Sequence, residues 1–198
     1  MNQAHMAVPA ELSNSKALSR LLLQCGLAVL GSVLVAVCAH VSVPLLFTPV
    51  PFTLQTFAVL LLGLTLNAET AFAALALYLA EGAVGLPVFS PHGPGGLLQL
   101  MGPTGGYLLS YPFSAVLTGG AVRRFRRASF ATYVLSGAFG SAVILALGAS
   151  WLTLTVGQSP ATALKLGVWP FLPGDALKIC AAAGVATGVS WARNRVKS

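Results

Sequence analysis

Charged side chains are scarce in this 198-residue chain, where Asp, Glu, Lys and Arg make up 8% and apolar residues 56%. A soluble domain carries roughly a quarter charged residues, so the composition excludes that class and indicates an integral membrane protein. Four acids against eleven bases give a formal net charge of +7. Because these bases form no patch on a polar face, we expect no nucleic acid among the partners.

Patterns typical of reactive or metal-binding sites are also missing. Cys25, Cys38 and Cys180 stand singly in apolar runs, which predicts small buried residues and neither a metal site nor a disulfide framework. The chain has three scattered histidines, and no Walker A loop or nucleophile elbow. We therefore predict that it is not an enzyme and holds no metal or cofactor. Active transport would need an ATPase partner or an ion gradient.

Long apolar segments fill most of the chain. A helix that crosses the hydrocarbon core of a bilayer needs roughly 20 such residues. Six segments approach that length: 21–39, 48–66 with a proline-rich beginning, 68–84 after Asn67 as N-cap, 105–122, 130–152 and 174–192. The first is roughly twice the length of a signal-peptide core and no cleavage site follows it, so we expect a retained helix.

The bases are concentrated in alternate connections between these segments. They lie at Lys16 and Arg20, in the block "RRFRR" (123–127), and at Arg193, Arg195 and Lys197. Lys and Arg accumulate on the cytoplasmic side of membrane helices. An anionic-lipid patch or a docking surface is the alternative reading of the "RRFRR" block.

This charge pattern predicts an all-α membrane protein with six transmembrane helices and both termini in the cytoplasm. Its parts are a cytoplasmic segment 1–20, one six-helix membrane domain 21–192, and a basic cytoplasmic tail 193–198. An odd number of spans would place bases on both sides, against the usual asymmetry.

Two connections on the predicted outer side are long: 40–56 has prolines at 44, 49 and 51, and 85–106 is rich in both glycine and proline. A connection of this length is more often a lid or a binding loop than a simple link. Glycines let backbone approach a ligand closely. The segment 85–106 therefore suggests a covered extracellular site, with glycine-rich packing over helix ends as the alternative.

An acid and a base stand three residues apart in "PFLPGDALK" (170–178), at Asp175 and Lys178. Asp175 could be a helix N-cap that also pairs with Lys178 along one helix face. Ionisable groups within a membrane segment are costly, however, and usually mark a function. A carboxylate and an ammonium together suit a small molecule with an amide-like N–H edge and an acid tail.

Other side chains at the same level are candidates for the site. Gln55 could contact the ligand or join two helices by a hydrogen bond. Possible apolar walls are Phe52, Phe89, Tyr107 and Trp169. Glu81 has three readings: a ligand contact, a partner of Lys178, or a solvated carboxylate.

Small residues recur at four-residue spacing in the predicted helices. They are Ala28, Ser32 and Ala36 in the first, Ala76 and Ala80 in the third, and Gly184 and Gly188 in the sixth. Such stripes let helices approach closely, either inside the bundle or against another membrane protein.

Taken together, four segments resemble the BioY family, the biotin-binding S components of energy-coupling factor (ECF) transporters. They are "PVPFTLQTFAVLLLGL" (49–64), "YLAEGAVGLPVF" (78–89), "GPTGGYLLSYPFSA" (102–115) and "PFLPGDALK" (170–178). They stand in the family's order and at about its spacing. Asn67 departs from the glycine expected at that turn.

The resemblance implies an S-component fold and biotin uptake across a bacterial cell membrane. It implies that Asp175 and Lys178 contact biotin, and we add Gln55, Tyr107, Phe52 and Thr104 as candidate contacts. It also implies docking on a transmembrane T protein, served by two ATPase subunits. The docking positions carried over are Ala28, Ser32 and Ala36, with Ala76 and Ala80 as weaker candidates.

Alternatives to this interpretation are an S component for another vitamin and a membrane scaffold in which the Asp175–Lys178 pair is structural. Some members of the family operate without the ATPase module, and a homo-oligomer is a further candidate assembly.

Overall fold

The structure is a computed structural model that describes residues 10–125, 128–157 and 159–197. Within these ranges the chain forms eight helices and one two-stranded hairpin. In chain order they are α1 (Ala10–His40), β1 (Ser42–Val43), β2 (Phe52–Thr53), α2 (Gln55–Thr65), α3 (Ala68–Ala83), α4 (Gly96–Met101), α5 (Gly105–Arg123), α6 (Phe130–Val156), α7 (Pro160–Gly167) and α8 (Leu172–Lys197). The prediction of a mainly helical chain is confirmed, and each of the six predicted segments contains one helix.

The second helix begins at Gln55, so the proline-rich beginning of the predicted segment is outside the helix, which is one of its two expected forms. Pro49 and Pro51 lack amide hydrogens and fix φ, which disfavours helix over this stretch. Strand β2 there pairs antiparallel with β1, and α2 keeps only 11 residues. Helix α3 begins where predicted, because the side chain of Asn67 accepts a hydrogen bond from the amide of Thr70 at 2.8 Å.

Helix α2 forms the centre of the bundle. Ala58, Val59 and Leu60 are fully buried there, and α2 packs against α1, α5, α6 and α8. Where α2 crosses α5, a β carbon added at Gly63 would lie 2.6 Å from the carbonyl oxygen of Ala115. Only glycine allows this approach, so the crossing is fixed by backbone contact.

The bundle surface is strongly apolar, as a bilayer requires. Leu22 and Leu30 of α1 are 64% and 67% exposed. Two helices of the described chain, Ala17–His40 within α1 and Phe130–Val156, are long and apolar enough to cross a membrane. Helices α2 and α3 have 11 and 16 residues, fewer than the roughly 20 of an average span. The six-span topology therefore stays a prediction.

The prediction that all three cysteines are buried is wrong for two of them. Cys38 is buried, whereas Cys25 of α1 and Cys180 of α8 are exposed on the outside of the bundle. A thiol behaves as a small apolar group, so an apolar surface accommodates it as well as a core does.

The two ends of the bundle gather different residues. Arg20, Asn67 and Arg193 line one pocket, so the beginning of α1, the α2–α3 turn and the end of α8 share one end. The beginnings of α2, α5 and α8 meet at the other end. Of the predicted basic and terminal segments, residues 1–9, Arg126, Arg127 and Ser198 lie outside the described residues.

Candidate functional site

A cavity of about 50 Å³ lies between the beginnings of α2, α5 and α8, beside the middle of α6. Five of the six predicted ligand-binding residues line it: Gln55, Thr104, Tyr107, Asp175 and Lys178. The sixth, Phe52, contacts this set through its ring. The structure thus brings together residues that are as much as 126 positions apart in the chain (178 minus 52).

Asp175 is the polar centre of the cavity and is 4% exposed. Its Oδ1 accepts hydrogen bonds from Lys178 Nζ at 3.1 Å and Thr56 Oγ1 at 3.3 Å. Its Oδ2 accepts one from Ser141 Oγ at 3.0 Å. Donors from α8, α2 and α6 therefore converge on one carboxylate and fix its orientation.

The alternative that Asp175 is the N-cap of the last helix is wrong. Helix α8 begins at Leu172, and the amide of Asp175 already donates to the carbonyl oxygen of Phe171 at 2.8 Å. Asp175 lies in the first turn, so the helix dipole still favours its charge. Its side chain is directed to α2 and α6 and caps no amide of its own helix.

Lys178 pairs with Asp175 as predicted for residues three apart on one helix face. Lys178 is 6% exposed, and its Nζ lies 4.0 Å from the centroid of the Phe52 ring. Phe52 in turn stacks on Phe171, with ring centroids 6.2 Å apart and planes 7° apart. One carboxylate and one aromatic face thus balance the buried ammonium.

Gln55 joins α2 to α3, as one of its two interpretations predicted. Its Nε2 donates to the hydroxyl of Tyr78 at 2.5 Å, and its Oε1 accepts from Thr53 Oγ1 at 3.1 Å. Both Gln55 and Tyr78 are buried. The amide is therefore held in one orientation at the wall of the cavity, with its remaining donor and acceptor capacity limited by these bonds.

Tyr107 and Thr104 form the wall at the beginning of α5. The hydroxyl of Tyr107 donates to the carbonyl oxygen of Gly167 at 2.8 Å, which ties α5 to the end of α7. Thr104 Oγ1 lies 3.5 Å from the carbonyl oxygen of Gln99, at the limit of a hydrogen bond. The hydroxyl of Thr104 is therefore more weakly hydrogen-bonded than that of Tyr107.

The glycine-rich segment folds over this end of the bundle, as its composition suggested. Ser90 and Gln99 from this segment line the cavity. Ser90 Oγ donates to Ser42 Oγ at 3.4 Å, and Gln99 Oε1 accepts from the amide of Gly95 at 3.1 Å. The short helix α4, which the sequence did not predict, carries Gln99. These few polar contacts connect the segment to the hairpin and to itself.

The model of the BioY family matches residues 11–195 of this chain. The chain belongs to the BioY family. A relative described as Biotin transporter BioY, from Thermotoga maritima, is 40% identical over 153 residues, which cover 77% of this chain and 87% of that protein. A Probable biotin transporter BioY from Pyrococcus horikoshii is 36% identical, with the same coverage of 77% and 87%.

A solved structure extends the comparison to three dimensions. The chain is similar to the S-component for biotin from an ECF-type ABC transporter, with a TM-score of 0.79 and 21% sequence identity. The match covers 87% of this chain and 93% of that structure. The S-component fold expected for a BioY protein is thereby confirmed.

The predicted docking stripe lies largely inside this BioY fold. Ala28 and Ser32 are buried between α1 and α3, and Ser32 Oγ donates to Glu81 Oε2. Ala36 and Ala76 are half-buried and Ala80 is exposed. Ala28 and Ser32 serve helix packing in this structure, and contact of any of the five residues with a T protein stays a prediction.

Three other predicted residues lie away from the cavity. Glu81 is hydrogen-bonded to Ser32 and does not pair with Lys178, whose carboxylate partner is Asp175. Phe89 is buried and packs edge-on against Tyr78, with centroids 5.4 Å apart, behind the cavity wall. Trp169 is 66% exposed on the outside, consistent with an interface anchor.

Several cavity residues of this BioY chain were not predicted from the sequence. Thr56 and Ser141 donate to Asp175, and Tyr111 lies in the cavity wall. Because Ser and Thr are common in membrane helices, the sequence does not show whether a particular one faces the cavity. In the described part of the chain, no group of three or more His, Cys, Asp or Glu side chains could hold a metal ion.

Proposed function

We propose that this chain is the biotin-binding S component of an ECF transporter, which takes up biotin at the outer face of the membrane. The observation that carries the proposal is the buried Asp175–Lys178 pair in an end cavity of a BioY-family chain. Relatives that share 36–40% of their residues with it are named biotin transporters. In this role the chain is a transport subunit and not an enzyme.

Asp175 is the group proposed to bind the ureido N–H edge of biotin. Its Oδ1 already accepts two hydrogen bonds and its Oδ2 only one. A carboxylate offers about four lone-pair sites, so Oδ2 has the greater remaining capacity. Lys178, whose Nζ lies 3.1 Å from Oδ1 of Asp175, orients the carboxylate.

The apolar part of the cavity suits the rest of the ligand. Leu108, Ile144 and Leu145 line it together with Tyr107 and Tyr111. These side chains would pack against the thioether ring and the methylene chain of biotin, which have no hydrogen bonds to satisfy. Gln55 and Thr104 are the proposed polar contacts at the rim.

The distribution of bases supports six membrane crossings with both termini in the cytoplasm. Arg20 and Arg193 line the pocket at one end of the bundle. Arg123 lies near the same end, because it is beside Gly119, which contacts Gly63 in the last turns of α2. The positive-inside rule makes this end cytoplasmic and the Asp175 end extracellular. We accordingly place the chain in the bacterial cell membrane, working with a T protein and two ATPase subunits.

Equilibrium binding of labelled biotin to the purified chain in detergent tests this function. We expect saturable binding by the parent and a roughly tenfold to hundredfold loss in Asp175→Asn, because a hydrogen bond to a charged acceptor is worth about 1.5–3 kcal/mol. Glu81→Gln is the matched control, since it neutralises a membrane carboxylate that does not line the cavity. A thermal melt of each variant shows whether it is folded.

The same assay separates the alternatives. Failure of a folded parent to bind biotin would reject the assignment, and binding of riboflavin or thiamine instead would make the chain an S component for another vitamin. Equal loss of affinity in Asp175→Asn and Glu81→Gln would show that the effect is unrelated to the cavity.

A further inference from the structure

A second pocket opens at the opposite end of the bundle, between α1, the α2–α3 turn and the end of α8. Its volume is about 320 Å³. Its polar lining consists of Arg20, Gln24, Thr65, Asn67, Thr70 and Arg193. Leucines of α1 and α2 form its apolar side. Nothing in the proposed biotin site uses these residues.

The charge in this pocket is positive and unbalanced. Arg193 Nη1 donates to the carbonyl oxygen of Thr65 at 3.1 Å, which uses one of its five donors. Among the described residues, neither Arg20 nor Arg193 is paired with a carboxylate. Glu69 is exposed on the first turn of α3 and is not part of the lining.

The anion-binding capacity of this pocket comes from its two arginines. The beginning of α3 also lies at the pocket wall, but the amide of Thr70 already donates to the side chain of Asn67, and Glu69 places a carboxylate in the same turn. Guanidinium groups suit the oxygens of a phosphate, which arginine binds in a bidentate manner.

The apolar side of the pocket continues onto the membrane-facing surface of α1. Leu23 lines the pocket and is 64% exposed, and Leu22 beside it is exposed to the same extent, 64%. A soluble anion would gain nothing from this surface, whereas acyl chains would cover it. The joined polar and apolar parts thus match a phospholipid.

We propose that this pocket binds one anionic phospholipid, with the headgroup phosphate between Arg20 and Arg193 and the acyl chains along the leucines of α1. Each arginine near an anionic lipid surface contributes enough to change affinity roughly fivefold, so losing both weakens binding roughly thirtyfold.

The test is native mass spectrometry of the purified chain titrated with dioleoyl phosphatidylglycerol and, separately, dioleoyl phosphatidylcholine. We expect one tightly bound phosphatidylglycerol and a Kd for phosphatidylcholine at least about tenfold higher. Arg20→Gln alone should weaken phosphatidylglycerol binding roughly fivefold, and Arg20→Gln with Arg193→Gln roughly thirtyfold. The control for the single variant is Lys165→Gln, which removes equal charge from an exposed position outside the pocket.

Three results would overturn the proposal. Equal affinity for the two lipids would exclude recognition of the anionic headgroup and leave an acidic segment of a partner protein as the candidate occupant. Equal losses of phosphatidylglycerol affinity in Arg20→Gln and Lys165→Gln would show that only the net charge of the protein matters. Displacement of phosphatidylglycerol by an equal concentration of inorganic phosphate would reassign the pocket to a soluble anion. Because Arg20 is an exposed side chain, its single variant tests the site even if the double variant fails to fold.

Discussion

Replacing Asp175 by asparagine should destabilise the protein even without a ligand. The side chains of Asp175 and Lys178 are only 5% and 7% exposed, and their charged atoms are 3.1 Å apart. Removing one partner of a buried pair costs about 3–5 kcal/mol, because the other charge is left without compensation. We expect about 3 kcal/mol, since the asparagine oxygen can still accept a hydrogen bond and the Phe52 ring lies 4.0 Å from Nζ.

The reverse change, Lys178→Met, should cost less. The carboxylate of Asp175 then keeps its hydrogen bonds from Thr56 and Ser141. We expect a loss of about 2 kcal/mol, in the range of a hydrogen bond to a charged group. The double variant carries neither buried charge, so its loss should be well below the sum of the two single losses, with an interaction energy of about 2 kcal/mol.

Thermal unfolding of the four proteins of this double-mutant cycle, in one detergent and without biotin, measures the effect. A loss of about 3 kcal/mol corresponds to a fall in Tm on the order of 10 °C for a chain of this length. Glu81→Gln controls for neutralising a carboxylate elsewhere. Additivity of the single changes to within about 0.5 kcal/mol would refute the reasoning, because the two charges would then be independent.

Two further predictions, one on helix packing and one on buried hydroxyl groups, are measured by the same melts. Gly63→Ala should cost about 1–3 kcal/mol of unfolding free energy, because the new β carbon would meet the backbone of α5. The control Gly184→Ala has nothing within 4 Å of its new β carbon and should be neutral or stabilising. Equal effects of the two changes would contradict the crossing geometry. Thr118→Val should be neutral or stabilising by up to about 1 kcal/mol, because its buried hydroxyl has no partner among the described residues. The control Ser114→Ala loses a 2.8 Å hydrogen bond to the carbonyl oxygen of Gly140 and should cost about 1 kcal/mol. An equally large loss for Thr118→Val would show that the hydroxyl of Thr118 is hydrogen-bonded after all.

The sequence predicted the long helices well because apolar length and capping are local properties. Asn67 caps α3 as expected, and the proline-rich beginning of the second segment proved to be non-helical. Helices α4 and α7 were not predicted, because they are too short to show such a local signal. They have 6 and 8 residues, too few for a periodic pattern, and α4 begins in a glycine-rich segment.

The site was predicted in part, because its charged residues are conspicuous in an apolar chain. Asp175 and Lys178 are recognisable from their rarity alone. Ser141 is not, since α6 carries small and apolar residues on all sides and its inward face is decided by its neighbours. Thr56 follows Gln55 directly in the chain, yet its bond to Asp175 depends on how α8 packs against α2.

The cavity is too small for a ligand, so part of the chain must move before one can enter. Its volume of about 50 Å³ is well below the roughly 300 Å³ of even a small ligand pocket. The helices around it cannot separate easily, because three of them converge on Asp175 and α2 meets α5 by backbone contact at Gly63. The covering segment 85–106 is joined to the rest of the bundle by single hydrogen bonds, at 3.4 Å between Ser90 and Ser42 and at 2.9 Å from Trp151 Nε1 to the carbonyl oxygen of Gly102. We therefore infer that opening occurs in the loops, and that the helices keep the binding groups in place throughout.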